Sequence, residues 1–377
     1  GMTAAKLDEY EKQFVRDGGA EGYVLLKNEN NALPYSAGDK ISIFSHSSVD
    51  LLAGGTGSGV SYVSSNLKDA FAANGCSVNE ALWKFYSEGA GKDYVRGAGA
   101  LSYGGAEDNN VLSSANGTKA MFVISRTGGE GRDLARYMGK FTDIAADKVK
   151  HYLEPDSVEL GIIDYLNEHF TDVVIVVNTN NAFELGWVND YENISAVLWA
   201  PGGGGETANS IADVLTGKVS PSGHLPDTFA FDALSSPAMQ NMGDIALTVG
   251  GKTTGYYAVS YDESIYVGYK YYETRYFDKV MNQGNAGEYD YATQVQYPFG
   301  YGISYSNFTW SDFEMTQPDD NGDITVKVKV TNNTATKAKD VVQVYLNAPY
   351  TEMDKTNKIE KSAAALVGFA KTNELAP

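Results

Sequence analysis

The stretch "ISAVLWAPGGGGETANSIADVLTGK", residues 194–218, reads as a strand, a glycine loop and a helix in that order. Residues 194–200 carry no charge, as a strand covered on both faces requires. Pro201 and four glycines break the run, and Gly217 closes the helix that follows. "DVVIVVNT" at 172–179 is a second strand of the same kind. Ahead of it, "DSVELGIIDYLNEHF" predicts a helix. Asp156 and Glu159 form its capping box, and Leu160, Ile163 and Leu166 make its inward stripe. "AMFVIS" (120–125) and "KISIFS" (40–45) are further strands, with "NLKDAFAANG" (66–75) as a helix between them. Strand and helix alternating through 40–217 predict an α/β fold: a mainly parallel sheet with helices on both faces.

The flanks differ from this core. Residues 3–30 predict a charged amphipathic helix running into "GYVLLKNEN". From 255 to 277 the chain is rich in tyrosine, and its pattern predicts irregular or β structure. Beyond a turn-dense connector, "DITVKVKVTNN" alternates strictly, with Ile324, Val326, Val328 and Val330 on one face and Thr325, Lys327 and Lys329 on the other. That is a half-buried antiparallel strand, and "DVVQVYLNAP" is another. About three strands are legible there, which predicts a partial β-sandwich of fibronectin type III kind that stops inside the domain. The expected division is 1–235 for the α/β domain, 236–308 for a tyrosine-rich extension and linker, and 309–377 for the partial sandwich.

With 43% hydrophobic and 20% charged residues, the 377-residue chain is globular and long enough for two or three domains. A net charge of −19 repels phosphate backbones, which argues against nucleic acid as a partner. One cysteine, Cys76, precludes an internal disulfide. The apolar runs are too short to span a bilayer, and the first residues lack the apolar core of a signal peptide, so the expected location is cytoplasmic. Gly1 ahead of Met2 reads as the remnant of a tag, with Met2 as the native start.

Three glycine-rich loops follow or lie near strand ends: "GGTGSG" (54–59), "TGGEG" (127–131) and "PGGGGE" (201–206). In an open α/β sheet ligands gather at the carboxyl ends of the strands, so three such loops could share one rim. "GGTGSG" is separated from both its strand and the next helix, which argues against a dinucleotide fingerprint, and no Lys-Ser or Lys-Thr completes a P-loop. "PGGGGETANS" could hold an anion, but a tight turn allowing close helix–sheet packing is the simpler account. Glu130 would by default be a solvated loop residue. Its glycine neighbours allow close approach of a ligand, and Arg132 and Asp133 set charge beside it. Neither metal nor cofactor is expected.

Taken in order, these segments resemble glycoside hydrolase family 3, the β-glucosidase family, over nearly the whole chain. The resemblance rests on "AEGYVLLKNENNALP", "GGTGSG", "SRTGGEGRDL", "VLWAPGGGGETANSIADVLTGKVSPSGHLPDTF", "DESIYVGYKYYET", "YPFGYGISYSNF" and "VKVTNNTATKAKDVVQVYLNAP". It implies a retaining mechanism with two carboxylates about 5–5.5 Å apart. Glu130 matches the acid/base position. Ser58 and Thr56 match the loop that approaches the substrate, and Arg132 matches an orienting or charge-balancing role. Many members continue Glu-Gly-x-Asp-Arg, whereas Leu134 follows Asp133 here.

The family's nucleophile is an aspartate on a (β/α)₈ barrel in a Ser-Asp-Trp setting, which this chain lacks; "SDF" at 311–313 belongs to the linker into the sandwich. The resemblance therefore implies the acid/base part of a retaining β-glycosidase acting on oligosaccharides or glycosides, inactive alone. The barrel is expected downstream in the same polypeptide, as in members with swapped domain order. A non-catalytic carbohydrate-binding or scaffolding module is the alternative. A nucleotide-binding α/β protein is a third. The oligomeric state stays open, with a homodimer among the candidates.

Overall fold

The computed structural model describes residues 2–57, 61–93, 106–131, 134–242, 245–284 and 287–377. Six strands form the central sheet: β1 (Val24–Asn28), β2 (Lys40–Phe44), β3 (Ser77–Val78), β4 (Lys119–Arg126), β5 (Val173–Thr179) and β6 (Ile194–Trp199), in the order β1-β6-β5-β4-β2-β3. The pairs β2–β3, β2–β4, β4–β5 and β5–β6 are parallel, so their carboxyl ends share one edge. Only β1 runs antiparallel, against β6. The predicted N-terminal helix thus ends at Gly22 and gives way to an edge strand at Val24.

The helices are α1 (Ala4–Gly22), α2 (Leu67–Ala73), α3 (Glu80–Ser87), α4 (Ala106–Ser113), α5 (Ser157–His169) and α6 (Thr207–Leu215). They divide between the two faces because the strands alternate. On β4, Phe122 and Ile124 join Leu82, Leu112, Ile162 and Leu166 in one apolar core. Met121 and Val123 join Leu67, Phe71, Ile211 and Leu215 in the other. A strand buried on both faces removes all its apolar surface from water, at roughly 25 cal/mol per Å², and this explains the uninterrupted apolar runs of β4 to β6. The capping box of α5 is present, with the Asp156 carboxylate accepting from Glu159 N and the Glu159 carboxylate from Asp156 N.

Beyond the sheet come β7 (Phe229–Ala230), a short helix α7 (Pro237–Asn241), a hairpin of β8 (Ile245–Val249) and β9 (Lys252–Ala258), a helix α8 (Tyr269–Met281) and β10 (Val295–Tyr297). Helix α8 corrects the expectation of irregular or β structure there. Its tyrosines find tertiary partners that outweigh their β preference. Tyr272 is buried and its hydroxyl lies 2.8 Å from Ser235 Oγ, while the Arg275 guanidinium sits 4.4 Å over the Tyr266 ring. Strand β10 pairs back onto β7, and Tyr301 donates its hydroxyl to Leu26 O, so "YPFGYGISYSNF" is stitched to the α/β body.

Four strands follow: β11 (Phe308–Met315), β12 (Val326–Asn332), β13 (Val341–Leu346) and β14 (Ala365–Lys371). They form two antiparallel pairs, β11–β12 and β13–β14, joined where Trp310 Nε1 donates to Asp340 Oδ2 at 2.7 Å. The alternation over 326–330 holds, with valines half-buried and lysines exposed. "SDF" at 311–313 lies within β11 rather than in a linker.

Candidate active site

The site is built at the carboxyl edge of the sheet, where the three glycine-rich segments leave β2, β4 and β6. Asn178, at the end of β5 between them, fastens two neighbours. Its Oδ1 accepts from Leu52 N at 2.6 Å and its Nδ2 donates to Ala200 O at 2.8 Å. Asn180 holds the third loop, accepting from Gly202 N at 2.8 Å, and Gly204 N donates to Ala53 O at 2.8 Å. At Gly202 a Cβ would lie 2.5 Å from the Ala53 carbonyl carbon, so only glycine lets these backbones meet.

The glutamate loop lies against the first loop in the same way. Thr56 Oγ1 donates to Glu130 O at 2.6 Å, fixing the glutamate backbone. A Cβ at Gly129 would fall 2.5 Å from Thr56 N, and one at Gly57 would fall 2.0 Å from Glu130 Oε2. Gly57 also has φ +97°, a conformation that side chains disfavour. The glycines therefore provide clearance, and the Glu130 side chain lies over Gly57, exposed at the rim. Beside it opens a cavity of about 380 Å³, bordered by Gly55, Thr56, Thr127 and the outward-facing ring of Tyr62.

Of the predicted site residues, the fold brings Glu130 and Thr56 together. Ser58 and Arg132, like Asp133, lie outside the described residues. No group of three or more His, Cys, Asp or Glu side chains capable of holding a metal ion occurs among the described residues.

A residue that sequence inspection passed over lies four positions before Glu130. Arg126, the last residue of β4, is fully buried. Its guanidinium makes a bidentate pair with Glu159, with Nη1–Oε1 at 2.8 Å and Nη2–Oε2 at 2.7 Å. It also donates to the carbonyls of Ser125, Tyr152 and Glu154. Tyr152 and Phe183 present their rings at 5.6 and 5.0 Å. Burial disfavours the charge, but the Glu159 carboxylate outweighs it and holds Arg126 above its ordinary range. Tyr152 also accepts a hydrogen bond from Thr127 N through its hydroxyl, at 3.3 Å. Arg126, Glu159 and Tyr152 thus seat the start of the glutamate loop. The available signal was an arginine closing the apolar run of β4, on the face that Phe122 and Ile124 bury.

Comparison with known proteins agrees with this architecture. The profile of the glycosyl hydrolase family 3 C-terminal domain matches residues 23–305. The chain belongs to glycosyl hydrolase family 3. Among the family's curated members, a beta-glucosidase of Ruminococcus albus is 32% identical over 370 residues, covering 95% of this chain and 34% of that protein. Beta-glucosidase A of Butyrivibrio fibrisolvens is 32% identical over 391 residues, covering 95% of this chain and 43% of that one. The solved beta-glucosidase of Paenibacillus barengoltzii superposes with a TM-score of 0.74 at 31% identity, over 97% of this chain and 37% of that one. Beta-glucosidase 3B of Thermotoga neapolitana, in complex with glucose, gives 0.75 at 28% identity, over 98% and 47%. The chain therefore spans between about a third and a half of the length of these relatives. Among the described residues no helix is long and apolar enough to cross a membrane.

Proposed function

We propose that this chain is the acid/base-bearing part of a retaining β-glycosidase that releases terminal β-linked sugars, with β-glucosides as the first substrates to test. The observation that carries the proposal is the placement of Glu130. Its carboxylate lies exposed over Gly57 on a rim of three glycine-rich loops, beside a cavity with an outward-facing tyrosine. Glu130 protonates the leaving oxygen and then activates water. Thr56 positions the loop, Ser58 contacts substrate or the nucleophile, Arg132 balances charge, and Tyr62 offers a stacking face to a pyranose. The nucleophile is a second carboxylate about 5–5.5 Å away, supplied by a barrel in the same polypeptide. The division of the chain at about 235 and 308 belongs to the same proposal.

The experiment pairs two substrates in the full-length protein. Glu130→Ala is expected to spare enzyme glycosylation by 2,4-dinitrophenyl β-glucoside, whose leaving group needs no proton. Turnover of phenyl β-glucoside should fall by about 10²–10⁴-fold. Equal rates for wild type and variant on both substrates would remove Glu130 from the mechanism. The 377-residue chain alone is expected to hydrolyse neither faster than buffer does.

A further inference from the structure

A second cavity, of about 530 Å³, lies between the end of β5, the segment around β7 and the start of α8. Its size is that of a small-molecule site. Its walls are mainly apolar, with Phe183, Met239, Tyr272 and Phe299 among them. Polar side chains interrupt those walls, Glu184, Asp227 and Thr228 among them.

The Thr228 hydroxyl is unsatisfied, and the two carboxylates lack a counter-charge among the described residues. Thr228 is 5% exposed and its Oγ1 has no hydrogen-bond partner. A buried hydroxyl left so is costly unless something in the cavity meets it. Glu184 accepts from Ala233 N at 2.6 Å and Asp227 from Thr228 N at 2.8 Å, but among the described residues neither carboxylate has a cationic side chain within 4.0 Å. Lys270 lines the same cavity yet stands farther off than that. Burial pushes the Glu184 carboxyl up to about 7, and the charges of Glu154 and Asp232 add to the effect. Asp227 stands at the solvent-exposed mouth of the cavity, and the partial loss of water around it raises its carboxyl in the same direction.

The contrast with Glu159 defines what is missing. Glu159 is more deeply buried, and Arg126 supplies its counter-charge. A carboxylate in an apolar wall is stable only when paired or protonated. We infer that this cavity is a binding site for an organic ammonium ion on a small apolar body. The ammonium would lie between Glu184 and Asp227 with Thr228 Oγ1 nearby, and the body would lie against Phe183, Met239 and Tyr272. A bare metal ion fits less well, since the cavity offers two carboxylates, fewer than the three ligands a metal group needs, and its walls are apolar. The inference does not depend on the role of Glu130.

The test is isothermal titration calorimetry of the 377-residue chain with phenethylammonium chloride, and with 2-phenylethanol as its uncharged counterpart. The ammonium is expected to bind, with the alcohol weaker by at least about tenfold, the equivalent of roughly 1.4 kcal/mol. Glu184→Gln and Asp227→Asn should each weaken the ammonium by about the same factor and leave binding of the alcohol unchanged. Glu184→Gln keeps an acceptor for Ala233 N, so its circular dichroism should match wild type, and it carries the test if Asp227→Asn does not fold. Equal binding of ammonium and alcohol, undiminished ammonium binding by Glu184→Gln, or no heat from the ammonium at millimolar concentration would each overturn the inference.

Discussion

The rim and the layer beneath it use glutamate in opposite ways. Glu130 lies at the surface on a loop whose shape comes from backbone contacts between glycines. Glu159 lies wholly inside, locked by two hydrogen bonds to Arg126, whose guanidinium lies over the Tyr152 and Phe183 rings. The seat cannot change without leaving a buried charge unpaired. The difference is one between a carboxylate open to solvent and one enclosed with its counter-charge. The Arg126 network reaches Thr127 through Tyr152, Gly128 and Gly129 follow, and Thr56 Oγ1 holds the Glu130 carbonyl.

This contrast can be broken or sharpened by substitution. The largest expected effect on stability comes from the seat. Arg126→Met should lower unfolding free energy by about 3–5 kcal/mol, because it leaves Glu159 buried without its partner. Urea titration measures this, and a loss below about 1 kcal/mol would mean the pair is not closed as described.

Gly57→Ala should do the reverse. Its Cβ would fall 2.0 Å from Glu130 Oε2, so the carboxylate must move. Activity of the full-length protein should drop by about 10²-fold, as for a catalytic group displaced by an ångström, with a loss of only about 1 kcal/mol in stability. An unfolded Gly57→Ala protein would show that the rim is part of the core.

Glu184 gives an effect of intermediate size with a definite sign. Its folded pKa, about 7, lies above the ordinary carboxyl value of 4.5, so the native state holds the proton more tightly than the unfolded chain. The resulting stability is complete below about pH 4.5 and disappears as pH rises through about 7. After allowance for solvent screening it amounts to about 1 kcal/mol. Glu184→Gln should abolish this slope in a Tm profile, and an unchanged slope would assign it to another group. Smallest of all, Thr56→Val removes the hydroxyl bond to Glu130 O and should reduce activity by only a few-fold, the equivalent of about 0.5–1.5 kcal/mol.

What could be read from the sequence divides along physical lines. The parallel strands announced themselves because burial on both faces demands unbroken apolar runs, and the α5 capping box because its two partners are three residues apart. The place of Glu130 on a glycine-rich loop after a strand was legible from Gly128, Gly129 and Gly131, whereas its acid/base role rests on the resemblance and is a proposal. The Arg126–Glu159 pair was not legible, since its members are 33 positions apart and meet only through the sheet. Helix α8 was obscured by tyrosines whose local preference for strands yields to contacts with Ser235 and Arg275. The antiparallel setting of β1 was also hidden, because residues 3–30 carry helical and apolar signals without a break between them.

The central claim is that the exposed rim glutamate is the acid/base. Azide tests it most directly, because this small anion attacks a glycosyl-enzyme without needing a general base. With 2,4-dinitrophenyl β-glucoside and the full-length Glu130→Ala protein, added azide should restore turnover and yield β-glucosyl azide, identifiable by its anomeric coupling in NMR. Failure of azide to accelerate the variant, with glucose as the sole product, would contradict the claim.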